Sequence, residues 1–219
     1  MSEDFFSSTS DSGLALRQGF ELIWRPTASM HPSWWKKLGV QAWQEKYEPD
    51  SILGHRIETM IVSRAGLIDE PMPTKLNEQD NLLIQRKDKL NELLLVFGLY
   101  SLNCQDYFSL KTYRQALETI LTDDQIQQAW ALWPQRPTSK LKPVINDIAE
   151  KDIVEVALQI AVIQFSKELT DSIVWRALLM TFPATETDKL PKSITAHLKA
   201  LDKQSINMSR SLTRLERLL

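Results

Sequence analysis

Apolar residues recur at helical rather than strand spacing along most of the chain. In the segment 79–102 apolar residues lie at helical spacing, and its second half, 90–102, is apolar on nearly all sides. The segments 109–121 and 126–133 repeat the same period, and no segment keeps the alternation of a half-buried strand. The pattern predicts an all-α fold, an irregular multi-helix domain of short and medium helices.

Prolines and capping residues indicate where these helices begin and end. The run Thr-Asp-Asp-Gln at 122–125 has the form of a capping box and predicts a helix that ends by Pro134. Asp50 is predicted to cap a helix that Gly66 ends. Thr170 is predicted to begin a further helix at 171–182.

The chain is expected to contain a tail, two helical parts and a linker. Residues 1–13 are rich in Ser and Thr, carry only negative charge and predict a disordered tail. The proline-rich segment 135–143 predicts a linker between an N-terminal helical part, 14–134, and a C-terminal helical part, 144–219. We expect the second part to pack on the first as one compact unit.

Charge and composition exclude several classes of protein. The 26 Lys and Arg residues nearly balance the 28 Asp and Glu residues, which argues against a protein that coats nucleic acid. The single cysteine excludes an internal disulfide. The acidic start, MSED, does not resemble a secretory signal, and the longest apolar run, 93–100, is too short to span a bilayer. We therefore expect a cytoplasmic protein without direct membrane insertion.

The residues that usually carry catalysis do not cluster in the sequence. His31, His55 and His197 are far apart, and zinc-site spacings are absent. His31 precedes Pro32 and is expected to shape or cap the helix that follows, while Cys104 is expected to be a small buried side chain. Glycine-rich phosphate loops and G-x-S-x-G elbows are also absent. We expect no catalytic residue, no metal and no cofactor, and hence not an enzyme.

Seven tryptophans are many for a chain of this length, and four of them lie between residues 24 and 43. Trp34 and Trp35 point about 100° apart on a helix, so both cannot face the core centre equally. These indoles fill gaps between short helices, or one of them anchors a partner. Trp34 and Trp35 are therefore candidate partner-binding residues.

The C-terminal segment predicts a long amphipathic helix. Its apolar stripe, with one break at Ser205, follows alternating steps of 4 and 3 residues from Ile194 to Leu219. Arg210, Arg214 and Arg217 share one side beside this stripe. Such a helix packs on its own domain, docks on a partner or lies on an anionic membrane, and the lack of aromatic residues weakens the membrane alternative.

The three arginines of this helix are the main candidates for partner binding. Their guanidinium groups suit the carboxylates of an acidic partner. In the alternative interpretation they complement the helix C-terminal dipole and stay solvated.

Two stretches carry a family resemblance. Residues 20–35, FELIWRPTASMHPSWW, contain an apolar strip, a proline and a His-Pro turn before a short helix. Residues 90–134 contain LNELLLVFGLYSLN, then QALETIL and QIQQAWALWP. Both stretches resemble the type III secretion SctK proteins (the family of YscK, PscK, OrgA and MxiK). The chain departs from that family at Ser29, where an aromatic residue is common, and shows no match after Pro143.

The resemblance implies a cytosolic, all-helical, non-enzymatic adaptor. It implies as partners the cytoplasmic domain of the inner-membrane ring protein SctD and the pod protein SctQ, which assembles with SctL and the ATPase SctN. The alternative is another helical regulatory or chaperone-like protein, such as a transcription-associated module. A helix-turn-helix that used the basic C-terminal helix would favour this alternative, and an enzyme with an unrecognised site is the third hypothesis.

Overall fold

The computed structural model describes residues 4–67, 76–135, 148–184, 192–202 and 213–215. Every regular element in these ranges is an α-helix or a short 3₁₀ turn, so the all-α prediction is confirmed. The α-helices are α1 Asp4–Trp24, α2 Ser33–Lys37, α3 Ile52–Arg64, α4 Glu78–Gln85, α5 Leu90–Leu102, α6 Asp106–Ser109, α7 Lys111–Leu117, α8 Asp123–Ala131, α9 Ile153–Glu168, α10 Ile173–Leu179 and α11 Lys192–Leu201.

The chain forms two compact units, and each is built from two separate stretches. Unit 1 comprises Met1–Lys87 and Leu169–Thr185, and unit 2 comprises Asp88–Glu168 and Glu186–Leu219. Each unit thus takes residues from both sides of the expected linker 135–143, which lies beyond Gln135 outside the described residues.

Unit 1 is organised around α1, which contacts α3, α4 and α10. Trp175 of α10 is fully enclosed. Ser172 fixes the start of α10, because its hydroxyl accepts a hydrogen bond from the Trp175 amide at 2.9 Å and donates to Asp80 of α4. The side chain of Arg176 donates to the carbonyl of Gly66, a residue with a φ of 67° that suits glycine.

Helix α1 begins at Asp4, inside the stretch 1–13 for which the sequence predicts a disordered tail. Helix extension costs little once neighbouring turns exist, and the packed turns at 14–24 supply that nucleus. Composition alone does not reveal such propagation.

The segment 79–102, predicted as one helix, is two helices in the structure. Helix α4 ends at Gln85, a 3₁₀ turn covers Lys87–Lys89, and α5 begins at Leu90. The interruption coincides with the polar run 85–89, which has no apolar residue to hold it against a core. Helix α4 belongs to unit 1 and α5 to unit 2.

Unit 2 is centred on the pair α5 and α9. Leu94 and Phe97 of α5 are fully buried, and Phe97 meets Phe165 of α9 edge to face with ring centroids 5.1 Å apart. The two helices approach closely at Gly98, where an added Cβ would lie only 1.9 Å from the carbonyl oxygen of Ala157. The glycine is therefore required by packing.

Helix α11 packs within unit 2. The stripe residues in the described ranges are all buried: Ile194, Leu198, Leu201 and Leu215. Nε2 of His197 donates to the carbonyl of Ser101 on α5 at 2.5 Å. Of the segment beyond Asp202, only residues 213–215 are described, and they are helical.

Candidate interaction surface

Unit 1 has a cleft where the end of α1 faces the start of α3. Its volume is about 690 Å³, and Leu22, Arg25, Thr27 and Tyr47 line it together with Glu58. We call it the Glu58 cleft. Leu22 lies on the buried side of α1, and Glu58 lies on the buried side of α3.

Glu58 is a buried carboxylate that is bonded on one side only. The residue is 7% exposed. The hydroxyl of Tyr47 donates to its Oε1 at 2.6 Å, and the hydroxyl of Thr27 donates to the same atom. Oε2 is closed off from solvent and has no hydrogen-bond partner among the described residues. A buried charged oxygen without a hydrogen-bond donor lowers the stability of the folded protein. Such a group in a native structure calls for a structural or functional explanation.

Tyr47 is held as a hydrogen-bond donor. Burial raises the pKa of its phenol above 10.0, and the hydrogen bond to Glu58 raises it further. Its ring lies against Trp35 with centroids 5.6 Å apart. The phenol therefore stays protonated at neutral pH and is fixed in orientation.

Arg25, the residue directly after α1, lines the same cleft but is paired with another carboxylate. Its Nη2 donates to Oδ1 of Asp50 at 2.7 Å, and this hydrogen bond raises the pKa of Arg25. The charge of Asp50 is thereby offset, whereas Glu58 has no ion-pair partner among the described residues.

A second cleft, of about 470 Å³, shares its wall with the first. We call it the Trp24 cleft, since Trp24 lines it together with Pro49, His55, Glu58 and Val62. Trp24 is 49% exposed although it is the bulkiest side chain of its helix end. Exposed aromatic surface beside a charged group is typical of a protein-binding site.

The predicted binding residues Trp34 and Trp35 lie in unit 1. Trp34 is half-buried, its Nε1 donates to the carbonyl of Phe182 at 2.9 Å, and Lys37 lies over its ring at 4.6 Å. Trp35 is buried behind Tyr47. The structure therefore gives both indoles a packing role, and their part in partner binding stays a prediction.

The predicted basic face is described at Arg214 only. Arg214 is exposed, and its charge opposes the rise that burial causes in the pKa of Tyr100 in the same unit. Arg210 and Arg217 lie outside the described residues.

Unit 2 also exposes an aromatic side chain. Trp130 of α8 is 39% exposed, while Trp133, in the 3₁₀ turn just after this helix, packs against Tyr100 and Phe108. The Tyr100 hydroxyl donates to the carbonyl of Ala129 at 2.7 Å and fixes this end of α8. Trp130 is thus held on a rigid helix.

The histidines and the cysteine have structural partners. Nδ1 of His31 accepts from the amide of Ser33 at 3.2 Å, at the start of α2, as the capping prediction requires. Cys104 is buried, and burial raises the pKa of its thiol. Within the described ranges no group of three or more potential ligands is placed to hold a metal ion, and no helix is long and apolar enough to cross a bilayer.

The sequence analysis did not single out Glu58, although a signal was present. Glu58 follows Ile57 and precedes Ile61 and Val62, so a charged residue interrupts the buried side of a predicted helix. Thr27 and Tyr47 come from irregular segments, and no pattern predicts that they meet Glu58.

Comparison with protein-family models gives a match over most of the chain. A model of the family described as "Type III secretion system subunit" matches residues 17–184, a range that includes both clefts. Comparison with curated proteins and with solved structures gives no significant match.

Proposed function

The chain belongs to the family of type III secretion system subunits, and we propose that it acts there as a non-enzymatic cytoplasmic adaptor. In this role it links the inner-membrane ring protein to the cytosolic sorting platform. The family match over residues 17–184 carries the proposal. The resemblance of residues 20–35 and 90–134 to SctK proteins supports the finer assignment.

The partners follow from the same resemblance. One is the cytoplasmic domain of an SctD-like ring protein, and the other is an SctQ-like pod protein that assembles with SctL and SctN. An adaptor needs two separate binding surfaces. Two compact units, each with its own core and an exposed tryptophan, Trp24 in unit 1 and Trp130 in unit 2, are consistent with that requirement.

The basic face of the C-terminal segment is the first surface to test. We expect reversal of Arg210, Arg214 and Arg217 to glutamate to leave folding intact, because the sequence pattern places all three beside the apolar stripe rather than on it, and a solvated charge contributes roughly 1 kcal/mol or less to stability. The same variant should lose one of the two partners in parallel pull-downs of the ring and pod proteins. Retention of both partners by a normally folded variant excludes this face.

A matched variant controls for the change in net charge. Reversal of Lys36, Lys111 and Lys151, which are exposed on other helices and turns, should leave both interactions intact. If the unaltered protein binds neither the ring protein nor the pod protein, the adaptor proposal itself is wrong.

A further inference from the structure

We propose that the Trp24 cleft receives an arginine side chain of a partner protein, whose guanidinium donates to Glu58 and stacks on the indole of Trp24. This inference rests on the chemistry of the cleft and is independent of the assignment to ring or platform. A peptide titration, described below, tests the cleft, whereas the pull-downs described above test the adaptor role, so a negative result in one does not decide the other.

The first argument is the incomplete bonding of Glu58. Its Oε1 already accepts from Tyr47 and Thr27, so these hydroxyls hold the carboxylate in place and leave Oε2 to an outside donor. Glu58 lines the Trp24 cleft, and a donor seated there reaches Oε2 once the side chains that cover this atom move aside, while Oε1 keeps its two hydrogen bonds. A buried carboxylate without a donor is costly, and a cationic donor removes that cost.

The second argument is charge complementarity within the cleft. Asp50 and Glu58 are its carboxylates, and Arg25 is its guanidinium. Because Arg25 is paired with Asp50 at 2.7 Å, the negative charge of Glu58 remains without an ionic partner among the described residues. The cleft therefore favours a positively charged group.

The third argument separates arginine from lysine. A guanidinium stacks on an indole face, and the exposed Trp24 lies in the same cleft as Glu58. A guanidinium also has donors to spare for a second acceptor. The His55 ring supplies one, because its Nδ1 donates to the carbonyl of Ser51 at 2.8 Å and leaves Nε2 as the acceptor in the neutral ring.

The remaining walls suit the apolar part of an arginine. Pro49 and Val62 line the cleft beside Trp24, and methylene groups of long basic side chains pack well on such surfaces. Ile52, at the start of α3, is 81% exposed and lines a shallow depression together with Asp50 and His55. It gives the residues next to the arginine an apolar contact.

The test is a titration of the full chain with acetyl-Ala-Arg-Ala-amide, followed by amide and indole N–H signals in two-dimensional NMR. We expect saturable shifts of the Trp24 indole and of amides in 47–62, with a Kd on the order of 1 mM, as for a single charged contact. The peptide with citrulline, which is neutral and nearly isosteric, should not bind. Equal binding of the citrulline or lysine peptide overturns the proposal, and so does the absence of any shift at about 20 mM.

Two variants connect the binding to the named residues. Glu58→Gln keeps an acceptor for Tyr47 and Thr27 and should weaken the arginine peptide about ten- to hundred-fold, the value of a charge-assisted hydrogen bond. Its Tm should equal or exceed that of the unaltered protein, because the unpaired buried charge is removed. A clear fall in Tm shows that the carboxylate is already satisfied inside the protein and overturns the proposal.

Trp24→Ala tests the stacking contact without altering the core. It should weaken binding several-fold with little change in Tm, because the indole is half exposed. Glu45→Gln, an exposed glutamate of the same unit, is the matched control and should bind like the unaltered protein. Unchanged affinity in Trp24→Ala removes the indole from the site and contradicts the proposal.

Discussion

Leu94 shows how much a single residue of the central pair contributes. It has no exposed surface, and it lies on a helix whose residues are buried on nearly every side. We expect Leu94→Ala to lower the free energy of unfolding by about 2–5 kcal/mol, the loss of transfer free energy plus the cost of a cavity. Urea unfolding measures it, and Leu110→Ala, at a half-exposed leucine, is the control. A loss below about 0.5 kcal/mol contradicts the burial of Leu94.

The buried surroundings of Cys104 lower the reactivity of its thiol. Burial raises the pKa of its thiol, so little thiolate forms at neutral pH. We expect Cys104→Ser to fold with a modest loss of stability and to bind partners normally. Alkylation by iodoacetamide should be slow in the native protein and fast in urea. Rapid native alkylation, or a folded variant that no longer binds, would show a reactive or functional thiol instead.

At the scale of elements, the close approach of α5 to α9 requires glycine at position 98, which has a hydrogen atom where other residues have a Cβ. A Cβ at position 98 would overlap the carbonyl of Ala157, which belongs to the backbone and cannot turn aside. Gly98→Ala should therefore destabilise unit 2 by about 3 kcal/mol or more, despite alanine's better helix propensity. Thermal unfolding tests this. Gly13→Ala, in open space on α1, should be neutral or stabilising.

Asp202 joins the end of α11 to α9 in a pH-dependent way. A hydrogen bond from Lys167, at 2.5 Å, lowers the pKa of its carboxyl below the ordinary 3.8. A folded pKa below the unfolded one contributes stability above the unfolded pKa and loses it as pH falls through the folded value. Asp202→Asn should cost roughly 0.2–1 kcal/mol at pH 6, since the pair is half exposed.

The same substitution should cost progressively less as the pH is lowered toward 3. Chemical unfolding of both proteins at each pH measures the difference. The exposed Asp171→Asn is the control. A cost of the same size at pH 6 and pH 3 excludes the ion pair as its source.

Local signals in the sequence predicted some helix boundaries and missed others. The capping box at Thr122 is confirmed. The backbone amide of Gln125 donates to the Thr122 hydroxyl at 3.3 Å, and the side-chain oxygen of Gln125 accepts from the backbone amide of Thr122 at 2.8 Å. The cap predicted at Asp50 is wrong: Ser51 accepts from the Gly54 amide, and Asp50 binds Arg25 instead. Two adjacent capping residues satisfy the same rule, and a contact distant in sequence decides between them.

The candidate site was less predictable than the fold. The helical spacing of apolar residues predicted where the helices lie, because each helix buries its own apolar stripe. Glu58 and Tyr47 meet only because α3 and an irregular segment face each other across unit 1, and no local period encodes that pairing. Trp24 belonged to a noted cluster of tryptophans, yet its exposure could be read only from the packed helix.

At the scale of the whole molecule, unit 1 depends on a segment distant in sequence. Backbone and side-chain bonds tie residues near 31–34 to the segment after α10: the His31 amide donates to the carbonyl of Met180 at 2.8 Å, and Trp34 donates to Phe182. Helix α10 also places Trp175 in the core. Unit 1 is therefore incomplete without residues 169–185.

Two truncations test this dependence. A chain that ends at residue 185 retains all of unit 1, whereas a chain that ends at residue 168 lacks its second stretch. We expect amides of α1 and α3 to be protected from hydrogen exchange in the longer chain and to exchange rapidly in the shorter one. Equal protection in both chains would show that residues 1–87 fold by themselves.

The discontinuity of unit 1 also sets an order of events on the ribosome. Translation proceeds at roughly 5–20 residues per second, so on the order of ten seconds separate the emergence of residue 87 from that of residue 185. During that interval α1 and α4 lack α10, which contacts both of them in the folded unit, and the fully buried Trp175 of α10 is absent from the core. The N-terminal stretch of unit 1 therefore reaches its native packing only after residues 169–185 have been made.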